Sequence, residues 1–293
     1  MEQIITVILP TVFAIALGYL LSRWGRPDVG TLIDVAMFIA TPCLVLHSLY
    51  QNPIVIGDAL RGWGAALLLI VGTFVIAWLV FGIRGKGSSA LYLPIIFQNT
   101  INIPLPIIYL AFGDQGVALT VLFSIPNLLL VYSLGIYMAS GHKALRPGLA
   151  AVFKTPLIYA AVLGLVLNLT GAAVPEAVTG SLRFVGQAAV PLMLLVLGMN
   201  MGRFKFSRIG LTITAGVIRM GGGFAVGLAA VWLLGMTGLP RAIVLFEAAM
   251  PSAVVTSVLC AKYNNNPELV SSIVLATTLM AVGVIPALLY YLT

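Results

Sequence analysis

Charge is what this sequence has least of: Asp, Glu, Lys and Arg together make up 8% of its 293 residues, where a soluble domain carries about a quarter. The hydrophobic share is 61% and the mean hydropathy +1.12. A water-soluble globule is excluded, and so is a disordered chain, which needs high charge and little apolar content. There are two cysteines, Cys43 and Cys260, both in apolar runs, which excludes a disulfide scaffold and a cysteine-rich metal site. No glycine-rich phosphate loop is present, so ATP-driven pumping by this chain alone is not expected. A bilayer is the remaining solvent.

Apolar runs bounded by charge or by Pro, Gly and Asn fall near 3–22, 29–50, 60–82, 88–112 and 116–140, then near 154–170, 176–200, 208–236, 240–262 and 268–292. At about 20 residues per crossing, ten spans use about 200 residues and leave no room for a soluble domain. The first run follows Met1 and Glu2 with no basic stretch before it, which reads as a retained helix rather than a signal peptide.

Orientation comes from lysine and arginine. The connections after odd-numbered spans hold Arg23, Arg26, Arg84, Lys86, Lys143, Arg146, Lys154, Arg203, Lys205, Arg208 and Lys262, against Arg61 and Arg241 on the other side. Positive loops stay in the cytoplasm, so both termini are expected outside. The net charge of +7 then reports topology; nucleic-acid binding would need basic residues clustered on one solvated face.

Five spans per half invert the second half relative to the first, and the halves share features. Span 2 carries Asp34 eight residues before Pro42, and span 7 carries Arg183 eight before Pro191. Span 4 is interrupted by Gln98-Asn99-Thr-Ile-Asn102-Ile-Pro104-Leu-Pro106, and span 9 by Glu247-Ala-Ala-Met-Pro251-Ser252. Proline removes a helix hydrogen bond and clashes with the preceding turn. Irregular backbone survives at membrane depth only where it is buried in protein or lines a water-filled cavity. Matched interruptions in two inverted halves point to a transporter's central binding site. Half-helices restarting after Pro106 and Pro251 would aim partial positive charge at the bilayer centre, which suits an anion.

Asn99, Asn102 and Ser252 are therefore candidate substrate ligands, with Pro104 and Pro251 shaping the breaks; the alternative is that the asparagines only satisfy the broken backbone. Glu247 lies one turn before Pro251 and must be protonated, paired or bound to a cation. One reading is ion coupling, with Na⁺ held by Glu247, Gln98 and freed carbonyls, or a proton exchanged at the carboxylate. The other is a structural ion pair with Arg219 in span 8, just before Gly221-Gly222-Gly223. Asp34 and Arg183 lie at opposite membrane ends and are not expected to pair, and Arg183 is expected to snorkel. His47 and His142 match no motif, and the sequon Asn168-Leu-Thr170 carries no weight here.

On these residues the chain resembles a bacterial auxin efflux carrier, the family whose plant members are the PIN proteins. The resemblance runs over nearly the whole length. It is most specific in Asn99-Thr-Ile-Asn-Ile-Pro104-Leu-Pro106 through Phe112-Gly113-Asp-Gln-Gly116 to Asn127. It is as specific in Ala248-Ala-Met-Pro251-Ser252-Ala, Tyr263-Asn-Asn-Asn-Pro267 and Thr277-Thr278 to Pro286. Thr41-Pro42-Cys-Leu44 and Pro191 to Gly198 add weaker likeness. The chain departs from the family in having Gln98 to Asn102 where members carry an asparagine-glycine pattern, and in lacking the long cytoplasmic loop of the plant proteins.

The resemblance implies an all-α membrane protein of ten helices in a 5+5 inverted repeat, with helices 4 and 9 broken and crossing. It further implies a scaffold of 1–50 and 154–200, a core of 60–140 and 208–293 that moves like an elevator, and transport of auxin-like acids or small dicarboxylates with or without a bound ion. Glu247 with Met250 resembles the sodium-binding glutamate stretch of the bile acid symporters over a few residues. The expected partners are a small organic anion, the lipid of a bacterial inner membrane and a second copy of the chain; no nucleic acid and no cofactor beyond Na⁺ or a proton is expected. A sodium symporter of another amphipathic substrate and an anion channel are the rival readings. An intramembrane enzyme would need a catalytic constellation that the spans do not offer.

Overall fold

A computed structural model describes residues 2–25, 27–83, 85–141, 155–201 and 207–292. Arg26, Arg84, Lys143, Arg146, Lys154, Arg203 and Lys205, seven of the thirteen residues on which the orientation rests, lie outside the described residues, as does His142.

Among the described residues the regular structure is helix, apart from one isolated bridge between Gln98 and Ser252. In order they form α1 (Glu2–Trp24), α2 (Val29–Gln51), α3 (Ile56–Gly82), α4 (Ser89–Ile96), α5 (Pro104–Ala139) and α6 (Pro156–Thr170). Then follow α7 (Glu176–Gly186), α8 (Ala189–Met201), α9 (Ile209–Leu233), α10 (Gly238–Ala248), α11 (Val254–Lys262) and α12 (Pro267–Leu292). Seven helical stretches among the described residues are long and apolar enough to cross a membrane. The remaining expected spans do not form single long helices of their own. The fourth is divided between α4 and the start of α5, the ninth between α10 and α11, and α6 has only 15 residues. α5 is bent at Gly113 (φ 63°), inside the expected boundary between spans 4 and 5.

The chain divides into two compact units, one of residues 1–59, 101–122 and 153–203, the other of 60–100, 123–152 and 204–293. Residues 101–122, which the resemblance assigned to the core, belong by packing to the first unit.

In the first unit α1 lies against α8 with backbones nearly touching. A Cβ on Gly18 would overlap the Leu195 carbonyl, and one on Gly198 the Ile15 carbonyl, the small-residue packing that lets membrane helices approach closely. The outer face of α1 is apolar, with Leu9, Phe13 and Leu17 exposed. In α2 a π-helical turn, Ala36–Ala40, precedes Pro42, and Thr41 N–H bonds the Ala36 carbonyl. The wider turn makes room for a ring that would otherwise strike the carbonyl four residues back. The end of α2 is closed by Asn168, whose amide donates to the carbonyls of Leu49, Tyr50 and Asn52 at 2.7–3.2 Å. That engagement gives the sequon asparagine a structural role.

The second unit packs three apolar clusters around the ends of α4 and α10. Leu91 and Ile95 meet Ala77, Phe81, Ala215 and Ile273. Leu93 and Phe97 meet Val131, Ile136, Ala253 and Val270. Val244, Leu245 and Ala248 meet Ala65, Leu69, Phe123 and Ala230. Asn265 ties the α11–α12 turn to Ser89 Oγ (2.9 Å) and the Ala139 carbonyl (3.2 Å), between Asn264 and Asn266, which both adopt left-handed backbone. This is what the Asn-Asn-Asn-Pro run after span 9 does: asparagine tolerates positive φ and bonds locally.

Candidate functional site

The helix breaks free backbone groups that must find partners without water. In the second unit, most of those partners come from the other break. Asn99 N–H donates to the Pro251 carbonyl (2.8 Å) and Ala253 N–H to the Phe97 carbonyl (2.9 Å), making a two-residue antiparallel pairing of Gln98 with Ser252. Ser252 Oγ donates to the Pro94 carbonyl (2.6 Å), and Ser252 N–H donates to Thr277 Oγ1 (3.1 Å). Asn127 Nδ2 donates to the Gln98 carbonyl (3.1 Å). The interrupted helices are thus joined backbone to backbone at their interruptions, and Gln98, Asn99 and Ser252 are buried there.

Two further freed carbonyls remain. Ile95 O has lost the amide of Asn99, which turns to Pro251, and Ala248 O has lost that of Ser252, which turns to Thr277. Both are taken by Arg219: Nη1 donates to Ile95 O (2.9 Å) and to Gln98 Oε1 (3.3 Å), and Nη2 donates to Ala248 O (2.9 Å). Arg219 is fully buried. It sits in a π-helical turn, Ile218–Gly222, a common mark of a functional position in a helix. Gly223, one turn on, is what admits it, since a Cβ there would overlap both Nη2 and Ala248 O.

Glu247 is equally buried, and neither carboxylate oxygen has a hydrogen-bond partner; Gln98 Nε2, Asn127 Oδ1 and Arg219 Nε are also unpartnered. Glu247 and Arg219 attract each other electrostatically. The guanidinium nevertheless gives its hydrogen bonds to carbonyls and to Gln98 rather than to the carboxylate.

Six of the residues singled out from sequence, Gln98, Asn99, Arg219, Glu247, Pro251 and Ser252, therefore come together in the second unit. Asn102 and Pro104 belong to the first unit. α5 begins at Pro104 itself, so the interruption occupies 97–103 and precedes both prolines, with Pro104 in the first turn, where a missing N–H is harmless. Sequence reasoning missed the roles of Pro94, Asn127 and Thr277. Asn127 and Thr277 stand in the motifs quoted above, and a polar residue in an apolar span was the signal available.

The first unit holds a cavity of about 380 Å³ lined by His47, Gln51, Asn52, Asp114, Glu176, Thr179 and Arg183. Asp114 follows the Gly113 bend and accepts from Ser48 Oγ at 2.9 Å. His47 Nδ1 is buried without a partner. His47 and Arg183, set aside in the sequence, thus share a cavity wall, while Asp34 is not among its lining residues.

Comparison with known proteins adds a family match. The model of the family described as membrane transport protein matches residues 3–147 and 142–291. An uncharacterized transporter of Methanothermobacter thermautotrophicus is 29% identical over 295 residues, covering 95% of each chain. An uncharacterized transporter of Methanocaldococcus jannaschii is 23% identical over 301 residues, covering 95% of this chain and 96% of that one.

Proposed function

Because this chain belongs to the membrane transport protein family, the family of the auxin efflux carriers, we propose that it is a secondary carrier of small organic anions, auxin-like acids or dicarboxylates, and not an enzyme. One observation carries the reading: two interrupted helices bonded to each other at their interruptions, around buried polar side chains. Irregular backbone of this kind is tolerated at membrane depth where it is packed in protein or faces a substrate cavity. On this reading Asn99, Asn102 and Ser252 bind the substrate carboxylate, with Pro104 and Pro251 fixing the half-helix ends.

The remaining parts of the proposal follow the inverted halves. The chain makes ten crossings in a 5+5 arrangement in a bacterial inner membrane, with both termini outside and a homodimer as the assembly. Residues 1–50 and 154–200 act as scaffold, and 60–140 with 208–293 carry substrate in an elevator movement. Coupling, to a proton or to Na⁺, is assigned to Glu247.

Purified protein in liposomes tests this. Uptake of a labelled carboxylate should saturate and should accelerate when unlabelled substrate is loaded on the opposite side. Flux that neither saturates nor shows counterflow would identify a channel instead.

A further inference from the structure

The carbonyls that a coupling cation would need are already occupied. Ile95 O and Ala248 O stand at the C-terminal ends of α4 and α10, where each helix dipole amounts to roughly half a negative charge. Gln98 Oε1 adds a third oxygen, and the Glu247 carboxyl group interacts electrostatically with the same guanidinium. Three oxygen ligands and a carboxylate are a donor set for a hard monovalent cation. The guanidinium of Arg219 is bonded to all three oxygens. Arginine keeps its charge under all physiological conditions, and its planar fork reaches several acceptors at once. The π-helical turn and Gly223 bring it there.

The structure assigns to Arg219 the part of a tethered cation: its guanidinium fills the place of a mobile monovalent ion and clamps the ends of α4 and α10 together. Arg219 is a positioning residue for the crossing. Glu247 interacts with it electrostatically, and of the two coupling ions assigned to that residue this inference keeps the proton: the wild-type protein draws no Na⁺ into this place. Removing the side chain should open the place to a free cation, and guanidinium itself is the best fit. This deepens the carrier reading and rests on it, since the clamped crossing is taken to be the transport site.

The test uses the full-length protein in detergent and in liposomes. Melting temperature is measured in choline chloride, in sodium chloride, and with millimolar guanidinium chloride at constant ionic strength. Wild-type protein should melt alike in choline and sodium and gain nothing from guanidinium. Arg219→Ala should melt lower and recover part of the loss saturably with guanidinium, and its carboxylate uptake should become guanidinium-dependent. Sodium-specific stabilisation of the wild-type protein overturns the proposal, and so does a folded Arg219→Ala protein that no small cation restores. Should Arg219→Ala not accumulate, the wild-type arm decides by itself, and Arg219→Lys, which keeps a tethered charge, should remain indifferent to sodium. Wild-type protein that melts as expected but moves no carboxylate would reject the carrier reading while leaving the tethered cation standing.

Discussion

Ser252 gives its hydroxyl to the carbonyl of Pro94 at 2.6 Å, so the serine that follows one helix break closes a carbonyl beside the other. Both residues are buried. Ser252→Ala should therefore leave a buried acceptor empty and cost about 1–3 kcal/mol of stability. A lower melting temperature checks this. Ser252→Cys, a weaker donor of similar size, should fall between the two.

Substrate affinity tests the asparagines separately from the fold. Asn99→Leu and Asn102→Leu should each weaken carboxylate binding by about 1–3 kcal/mol if a buried polar contact is lost. Titration calorimetry with a panel of carboxylic acids is the measurement. Unchanged affinity in both variants would move the substrate away from the crossing.

Two neighbouring glycines should behave oppositely. A Cβ at Gly223 overlaps the Ala248 carbonyl, whereas at Gly221 it meets nothing nearer than 4.0 Å. Overpacking of that kind costs about 1–3 kcal/mol, so Gly223→Ala should melt clearly lower. Gly221→Ala should be neutral or slightly stabilising, because alanine is the better helix former.

Glu247→Gln removes the electrostatic partner of the buried Arg219 and should lower the melting temperature. Combining it with Arg219→Gln should cost less than the sum of the two single changes, read from a double-mutant cycle of melting data. Additive losses would mean that the two charges are not coupled.

Asp28, just ahead of α2, gives a pH effect outside the spans. The Thr31 hydroxyl and the amides of Thr31 and Gly30 bond its carboxylate and hold its pKa below the usual range, against a small opposing effect of burial. A depressed folded-state value means that the cap is in place above the ordinary carboxylate pKa and is lost as pH falls through the folded one. Amide exchange at residues 30–32 should rise over that acidic interval, and Asp28→Ala should show the faster exchange at neutral pH.

Seven long apolar helices and the two interruptions were legible because their signals are local. Apolar runs ended at charge, Gly113 fell inside the expected boundary between spans 4 and 5, and Pro251 lies in the second break. Reading the first break at Pro104 and Pro106 was less accurate, since proline also starts helices, and α5 starts on one. Arg219 and Glu247 were visible as costly charges, but not the direction of the arginine's hydrogen bonds. That depends on which carbonyls lose their amides, and Ile95 and Ala248 lose theirs to residues far along the chain. The cavity beside His47 and Asp114 was out of reach for the same reason: its walls come from three separated segments.

The bonding of the two breaks also has a consequence for biosynthesis. Pro94 and Ser252 are 158 positions apart, and at 5–20 residues per second a ribosome needs about 8–30 s to make that length. Until then the carbonyls of Pro94 and Phe97 lack the partners that they have in the folded protein, so the crossing is completed only late in synthesis.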